Sequence, residues 1–243
     1  MTITNGFWSI ENIKAVIFDK DGTIIDSHEY WGNIIRIRAN ELIKQYGLAP
    51  SLYDGLCDAM GLNLITNKLK EEGPIALVSR DKVIQAVVVF LNKRGCSASA
   101  TNVANTFDYV QMTYKDSFIE HTKLCPDVEK FIKKLSKAKV KMAVVTSDSV
   151  DSTNKILDFY GLSKYFDVVV GRETIKEPKE TGRPCLYALE HLGVDSINTV
   201  SIGDAPVDVT CGVQGIGVAT GQTPASKLIT VTPYVINTME ELL

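Results

Sequence analysis

Two aspartates one residue apart, Asp19 and Asp21, close a short apolar run, Ala15 to Phe18, and are followed at once by Gly22 and Thr23. An apolar run bounded by turn-forming residues reads as a short buried strand. In open α/β sheets the carboxyl end of such a strand is where ligands bind. Carboxylates this close repel each other unless a cation lies between them or one keeps a proton. The spacing therefore points to a hard divalent ion, which prefers oxygen ligands. An Asp-Gly turn that merely ends a strand is the plainer alternative, since both are ordinary turn residues.

The full string, a strand then Asp19-Lys-Asp21-Gly22-Thr23, two apolar residues and Asp26-Ser27, is longer than such a turn needs. It resembles the first motif of the haloacid dehalogenase-like hydrolase superfamily, in the branch of phosphoglycolate phosphatases and β-phosphoglucomutases. Three later stretches resemble the remaining motifs. Thr146-Ser147 closes the apolar run Met142 to Val145. Lys179 precedes the helical stretch Cys185 to Leu192. Gly203-Asp204 follows Thr199 to Ile202, with Asp208 four residues on.

The resemblance implies roles for these residues. Asp19 is the nucleophile, since a carboxylate that attacks phosphorus splits one hard displacement into two easier ones. Asp21 is general acid and then general base, which needs a pKa well above the ordinary value of about 3.9. Its presence favours phosphoryl transfer over carbon–halogen cleavage. Thr146, with Ser147 and Gly22, contacts the phosphoryl group. Lys179 supplies positive charge. The implied cofactor is Mg2+, held by the Asp19 carboxylate, the Asp21 backbone carbonyl and the Asp204 carboxylate, with Asp208 behind them steadying Lys179 or water. Two departures stand out. Glu180 replaces a proline common after the third-motif lysine, which leaves Lys176 and Arg183 as rivals to Lys179. Lys20 stands where a large apolar residue is usual; it either reaches a second anionic group or faces solvent.

The elements that must carry these residues follow from periodicity. After Ala15 to Phe18, residues 27–123 carry helical patterns and no convincing strand. Ile35, Ala39, Leu42, Ile43 and Tyr46 share one helical face, and Gly47 stops it. Shorter helical pieces are expected at Leu52 to Met60 and Ile65 to Glu72. A helix capped by Ser79 or Asp81 is expected to reach Lys93, and another to run from Ser99 to His121. Beyond Pro126, helices alternate with short strands expected at Met142 to Val145, Phe166 to Val170, Thr199 to Ile202, Ile216 to Ala219 and Tyr234 to Ile236. That alternation predicts an α/β fold, a Rossmann-like parallel sheet covered by helices on both faces. Residues 1–26 and 124–243 form this core domain, and 27–123 an inserted all-helical cap, where the resemblance also places one. In the cap, His28, Glu29 and Tyr30 could line a substrate cleft. Arg36, Arg38 and Arg80 could bind a substrate anion, although exposed helical charges are the commoner outcome.

The chain has 243 residues, 45% hydrophobic and 23% charged, with a formal net charge of −3. That is the composition of a globular protein without the basic excess of a nucleic-acid binder. The longest apolar run, Ala86 to Leu91, is far too short to cross a bilayer. Five scattered cysteines read as free thiols of a reducing cytoplasm. The expectation is a cytoplasmic, magnesium-dependent phosphatase, monomer or homodimer, acting on a small phosphorylated metabolite, with no nucleic-acid or membrane partner. Two alternatives share the same motifs: a phosphosugar mutase of the β-phosphoglucomutase type, and a regulatory protein that binds phosphate without turnover.

Overall fold

The computed structural model describes residues 1–75 and 80–243. The chain divides into two compact units, Met1–Asp26 with Lys123–Leu243, and Ser27–Thr122.

The first unit begins with an antiparallel ribbon, β1 (Ile3–Thr4) and β2 (Ser9–Ile10). The sequence offers no strand pattern before Ala15. The turn chemistry was present in Asn5-Gly6: Asn5 Oδ1 accepts from the backbone N–H groups of Phe7 and Trp8, and Gly6 takes φ +88°. Strand β3 (Ala15–Phe18) follows.

In the second unit, α1 (Ser27–Tyr46) and α2 (Tyr53–Met60) lead into a ribbon, β4 (Leu62–Asn63) and β5 (Lys68–Leu69), before α3 (Arg80–Asn92) and α4 (Ala100–Glu120). The ribbon corrects the helical piece expected at Ile65 to Glu72. Asn63 Oδ1 accepts from the N–H groups of Ile65 and Thr66, and Asn67 adopts φ +57°, so two asparagines bend the chain where apolar spacing suggested helix. The valine-rich segment is helical: Val83, Ile84, Val87 and Leu91 are buried while Val89 is exposed. Its proposed cap Ser79 lies outside the described residues. Ser99 caps α4 by accepting from Asn102 N–H at 3.2 Å. Leu42, Leu56, Met60, Val87, Leu91 and Phe107 form the buried centre of this unit.

The chain then returns to the first unit through α5 (Val128–Lys137), β6 (Lys141–Val145), α6 (Val150–Phe159), β7 (Val168–Val170), α7 (Arg183–Leu192), β8 (Thr199–Gly203), α8 (Pro206–Val209), β9 (Gln214–Val218), α9 (Ala225–Leu228) and β10 (Val235–Ile236). Six strands form one wholly parallel sheet in the order β10-β9-β8-β3-β6-β7. All four side chains of β3 are buried. Ala15 and Ile17 pack with Ala143, Val145, Cys185 and Ala188. Phe18, pointing the other way, meets the Phe131 ring of α5 edge-on at 6.3 Å. Burial on both faces explains why β3 and most of β6 read as unbroken apolar runs. Among the described residues no helix is long and apolar enough to cross a membrane.

Candidate active site

Strand β3 is hydrogen-bonded on one side to β6 and on the other to β8. The three strands run the same way, so the residues after their carboxyl ends share one edge of the sheet. Those residues are Asp19 after β3, Thr146 after β6 and Asp204 after β8. The ladder extends one step into the site, where Asp19 N–H donates to Ile202 O at 2.9 Å.

Asp19, Asp204 and Asp208 each present a carboxylate oxygen, and these atoms lie within 4.8 Å of one another. Lys179 joins them from a short helical turn before α7, with its ammonium donating to Asp19 Oδ1 and, at 2.8 Å, to Asp208 Oδ1. Asp208 is held from its other side, since Oδ2 accepts from Ala205 N–H at 3.1 Å. Asp204 Oδ2 accepts from Gln222 N–H at 3.1 Å. Two glycines make room for Asp204. A Cβ on Gly22, whose φ is +86°, would stand 2.5 Å from Asp204 Cγ, and one on Gly221 would strike the carboxylate itself. Gly22 O also accepts from Thr220 Oγ1 at 2.5 Å. Gly22 is thus a neighbour of the acid cluster, which a motif alone does not reveal.

Burial sets the electrostatics. Asp19 is only 9% exposed. Desolvation pushes its carboxyl up to about 7, against the pull of Lys179 and with the repulsion of Asp208 and Asp21. Asp204 is raised well above the ordinary carboxylate range, first by burial and then by Asp19 and Asp208. Burial alone would strip charge from Lys179, but Asp19 and Asp208 outweigh it and raise its pKa. One ammonium does not neutralise three carboxylates.

This donor set fits a magnesium ion. It is all oxygen, compact, and short of positive charge by an amount that a divalent ion would supply.

The rivals in the third motif stand apart, as Lys176 and Arg183 are exposed. Thr146 is buried; its N–H donates to Val170 O and its hydroxyl accepts from Asp148 N–H at 3.1 Å. Ser147 is exposed. The Asp21 carboxylate does not belong to the acid cluster and lies instead beside Lys20, 3.1 Å from its ammonium. Lys20 corrects the expectation of a solvent-facing or substrate-facing cation. Its side chain is fully buried, and it donates to Asp148 Oδ2 at 2.7 Å. Asp148 is a site residue the motif reading missed; its signal was a carboxylate two residues after Thr146. In the helical unit, Arg38 corrects the expectation of an exposed charge. It is buried, its guanidinium 4.1 Å above the Phe107 ring. Arg80 is exposed and pairs with Asp108 at 2.5 Å. Arg36 bonds Asn67, and His28 Nδ1 accepts from Leu69 N–H at 3.1 Å.

The sequence profile of the haloacid dehalogenase-like hydrolases matches residues 16–220. The chain belongs to the haloacid dehalogenase-like hydrolase family. The match takes in the acid cluster, Lys179 and the segment that holds the helical unit. Among curated relatives, the phosphoglycolate phosphatase of Aquifex aeolicus is 27% identical over 200 residues, covering 82% of this chain and 80% of that one. Pyrophosphatase PpaX of Bacillus velezensis is 26% identical over 243 residues, 96% of each chain. Among solved structures, a predicted phosphoglycolate phosphatase from Haemophilus somnus superposes with TM-score 0.71 at 16% identity, over 93% of this chain and 95% of its own. The β-phosphoglucomutase of Clostridium difficile gives 0.61 at 19% identity, over 95% and 93%. These structural likenesses speak for the fold of this hydrolase.

Proposed function

We propose that this hydrolase is a magnesium-dependent phosphatase that cleaves a small phosphorylated metabolite through an aspartyl-phosphate. The observation that carries the reading is the convergence of Asp19, Asp204, Asp208 and Lys179 from separate loops onto one sheet edge. Asp19 and Asp204, with the Asp21 backbone carbonyl, would hold the ion. When bound, magnesium supplies positive charge that keeps Asp19 ionised and offsets the charge of the phosphate.

The chain's own groups do the rest. An Asp19 oxygen forms a bond to phosphorus as the bond from phosphorus to the leaving oxygen breaks. Asp21 gives its proton to that leaving oxygen. In the second half Asp21 takes a proton from water, the water oxygen bonds phosphorus, and the bond to Asp19 breaks, releasing phosphate. Burial raises the Asp21 pKa against the opposing pull of Lys20, which suits a group that must start protonated. Lys179 places its charge on the transferring group, and Asp208 keeps Lys179 in place. The Thr146 hydroxyl, with Ser147 and the backbone at Gly22, contacts the phosphoryl oxygens. The Ser27–Thr122 unit takes the part of a cap that samples the non-phosphate end of the substrate.

The relatives' names guide the choice of substrates. A phosphate-release screen with Mg2+ should include 2-phosphoglycolate, pyrophosphate, sugar phosphates and nucleotides. Turnover of at least one small phosphate ester or anhydride is expected, lost in Asp19→Asn with the fold retained. Activity that survives Asp19→Asn removes the nucleophile from the scheme. Phosphate returned to the substrate only in the presence of a bisphosphate would mark a mutase instead.

A further inference from the structure

We propose that the Lys20–Asp148 ion pair is a positioning clamp that fixes the Asp21 carboxylate for proton transfer to poor leaving groups. The inference rests on the reading of Asp21 as the general acid.

Lysine is among the residues least often fully buried, and burying one needs anionic partners. Lys20 has 0% side-chain exposure. The chain bends at Lys20 just after β3, and its side chain is enclosed by protein. There the ammonium reaches two carboxylates. It donates to Asp148 Oδ2 at 2.7 Å and sits 3.1 Å from Asp21 Oδ1. The Asp148 contact is a hydrogen bond, and the Asp21 contact is a close approach of opposite charges. Asp148 therefore anchors the ammonium, and the ammonium holds Asp21 by charge.

Asp148 is itself fixed. Its Oδ1 accepts from Ser149 N–H at 2.7 Å, and its own N–H donates to Thr146 Oγ1 at 3.1 Å. One line of contacts thus runs from Asp21 through Lys20 and Asp148 to Thr146. It ties the proton donor to the hydroxyl that meets the phosphate. The Lys20 carbonyl adds to this by accepting from Ile24 and Ile25 N–H groups, both at 2.9 Å, which folds the Asp21–Thr23 turn back on Lys20. With Oδ1 held toward Lys20, Oδ2 is the oxygen left to exchange a proton with the substrate. Lys20 is enclosed by protein and meets Asp21 and Asp148, so the role assigned to the pair is positional.

Leaving-group dependence separates this role from general structural support. A nitrophenolate leaves without a proton, whereas an alkoxide needs one. The experiment compares kcat and KM for p-nitrophenyl phosphate and ethyl phosphate in wild type, Lys20→Met, Asp148→Asn and Asp21→Asn, all with Mg2+. The clamp predicts that Lys20→Met and Asp148→Asn each lose at least about tenfold more kcat on ethyl phosphate than on p-nitrophenyl phosphate, since misplacing a catalytic group by about an ångström costs that much or more. KM should stay within about threefold for both substrates. The double variant should lose no more than the worse single one. If Asp21→Asn shows the selective loss but the other two lose equally on both substrates, the clamp is overturned and the acid role of Asp21 stands. If Asp21→Asn lacks the selectivity, the reading of Asp21 falls and the clamp falls with it. Asp148→Asn, which keeps the lysine but removes its anchoring carboxylate, carries the test if Lys20→Met does not fold.

Discussion

Replacing Asp19 by asparagine should make the metal-free protein more stable at alkaline pH and leave it little changed in acid. The reason is the environment that suits Asp19 to bind a cation. Burial is the largest influence on its carboxyl, Lys179 opposes it, Asp208 and Asp21 add repulsion, and the balance raises the pKa from 3.8 to about 7. A folded-state value above the unfolded one means that the folded protein holds the proton more tightly. The stabilisation is then complete below about pH 4 and is lost as pH rises through 7. The whole loss is on the order of 4 kcal/mol, of which roughly 3 kcal/mol falls between pH 5 and pH 8. Asparagine keeps the shape without the titration and also relieves Asp204, whose pKa Asp19 helps to raise. Thermal unfolding in chelator, followed by near-ultraviolet circular dichroism, should show the wild type falling relative to Asp19→Asn by about 10 °C from pH 5 to pH 8. Adding Mg2+ should reverse this at pH 8, stabilising the wild type far more than the variant, because the ion binds the ionised carboxylates. A wild type whose stability relative to Asp19→Asn is flat or rises over that range would refute the electrostatic account.

Gly221→Ala would drive a methyl group into the Asp204 carboxylate; calorimetric titration should show Mg2+ affinity reduced about tenfold or more, with unchanged binding counting against Asp204 as a ligand. Phe131→Ala removes the ring that packs edge-on against Phe18 under the central strand and should cost about 3–5 kcal/mol in denaturant unfolding. Ser99→Ala removes the acceptor that caps α4; a loss of about 1 kcal/mol is expected, seen as earlier hydrogen exchange in residues 100–103 with the phosphate-release rate unchanged.

Much of the architecture was legible because the forces that set it are local and periodic. A strand buried on both faces is rich in apolar residues, so β3 and β6 could be read from apolar runs of four, and β8 and β9 from short stretches of small and apolar residues. The carboxyl ends of those runs already carried Asp19, Thr146 and Asp204. What escaped the sequence was turn chemistry that overrides apolar spacing. Asn63 and Asn67 turn a stretch that looks helical into a ribbon, and Asn5 and Gly6 bend another ribbon near the start. Which side a charged residue faces was equally hidden. Arg38 could be an exposed helical charge by spacing alone; only the packed unit sets its guanidinium over Phe107.

The order of acids and apolar runs fixed the kind of sheet and the residues at its carboxyl edge, because burial and turn preference act on neighbours in the chain. The partnerships at that edge were decided in three dimensions. Lys179 meets Asp19 across 160 positions, and Lys20 meets Asp148 across 128. Nothing in a one-dimensional string says which of two nearby lysines reaches a carboxylate, or that a cation between two aspartates turns inward to find a third. Those choices follow from the parallel order of β6, β3 and β8, which puts distant loops within ångströms of each other, so that their charges pair across them.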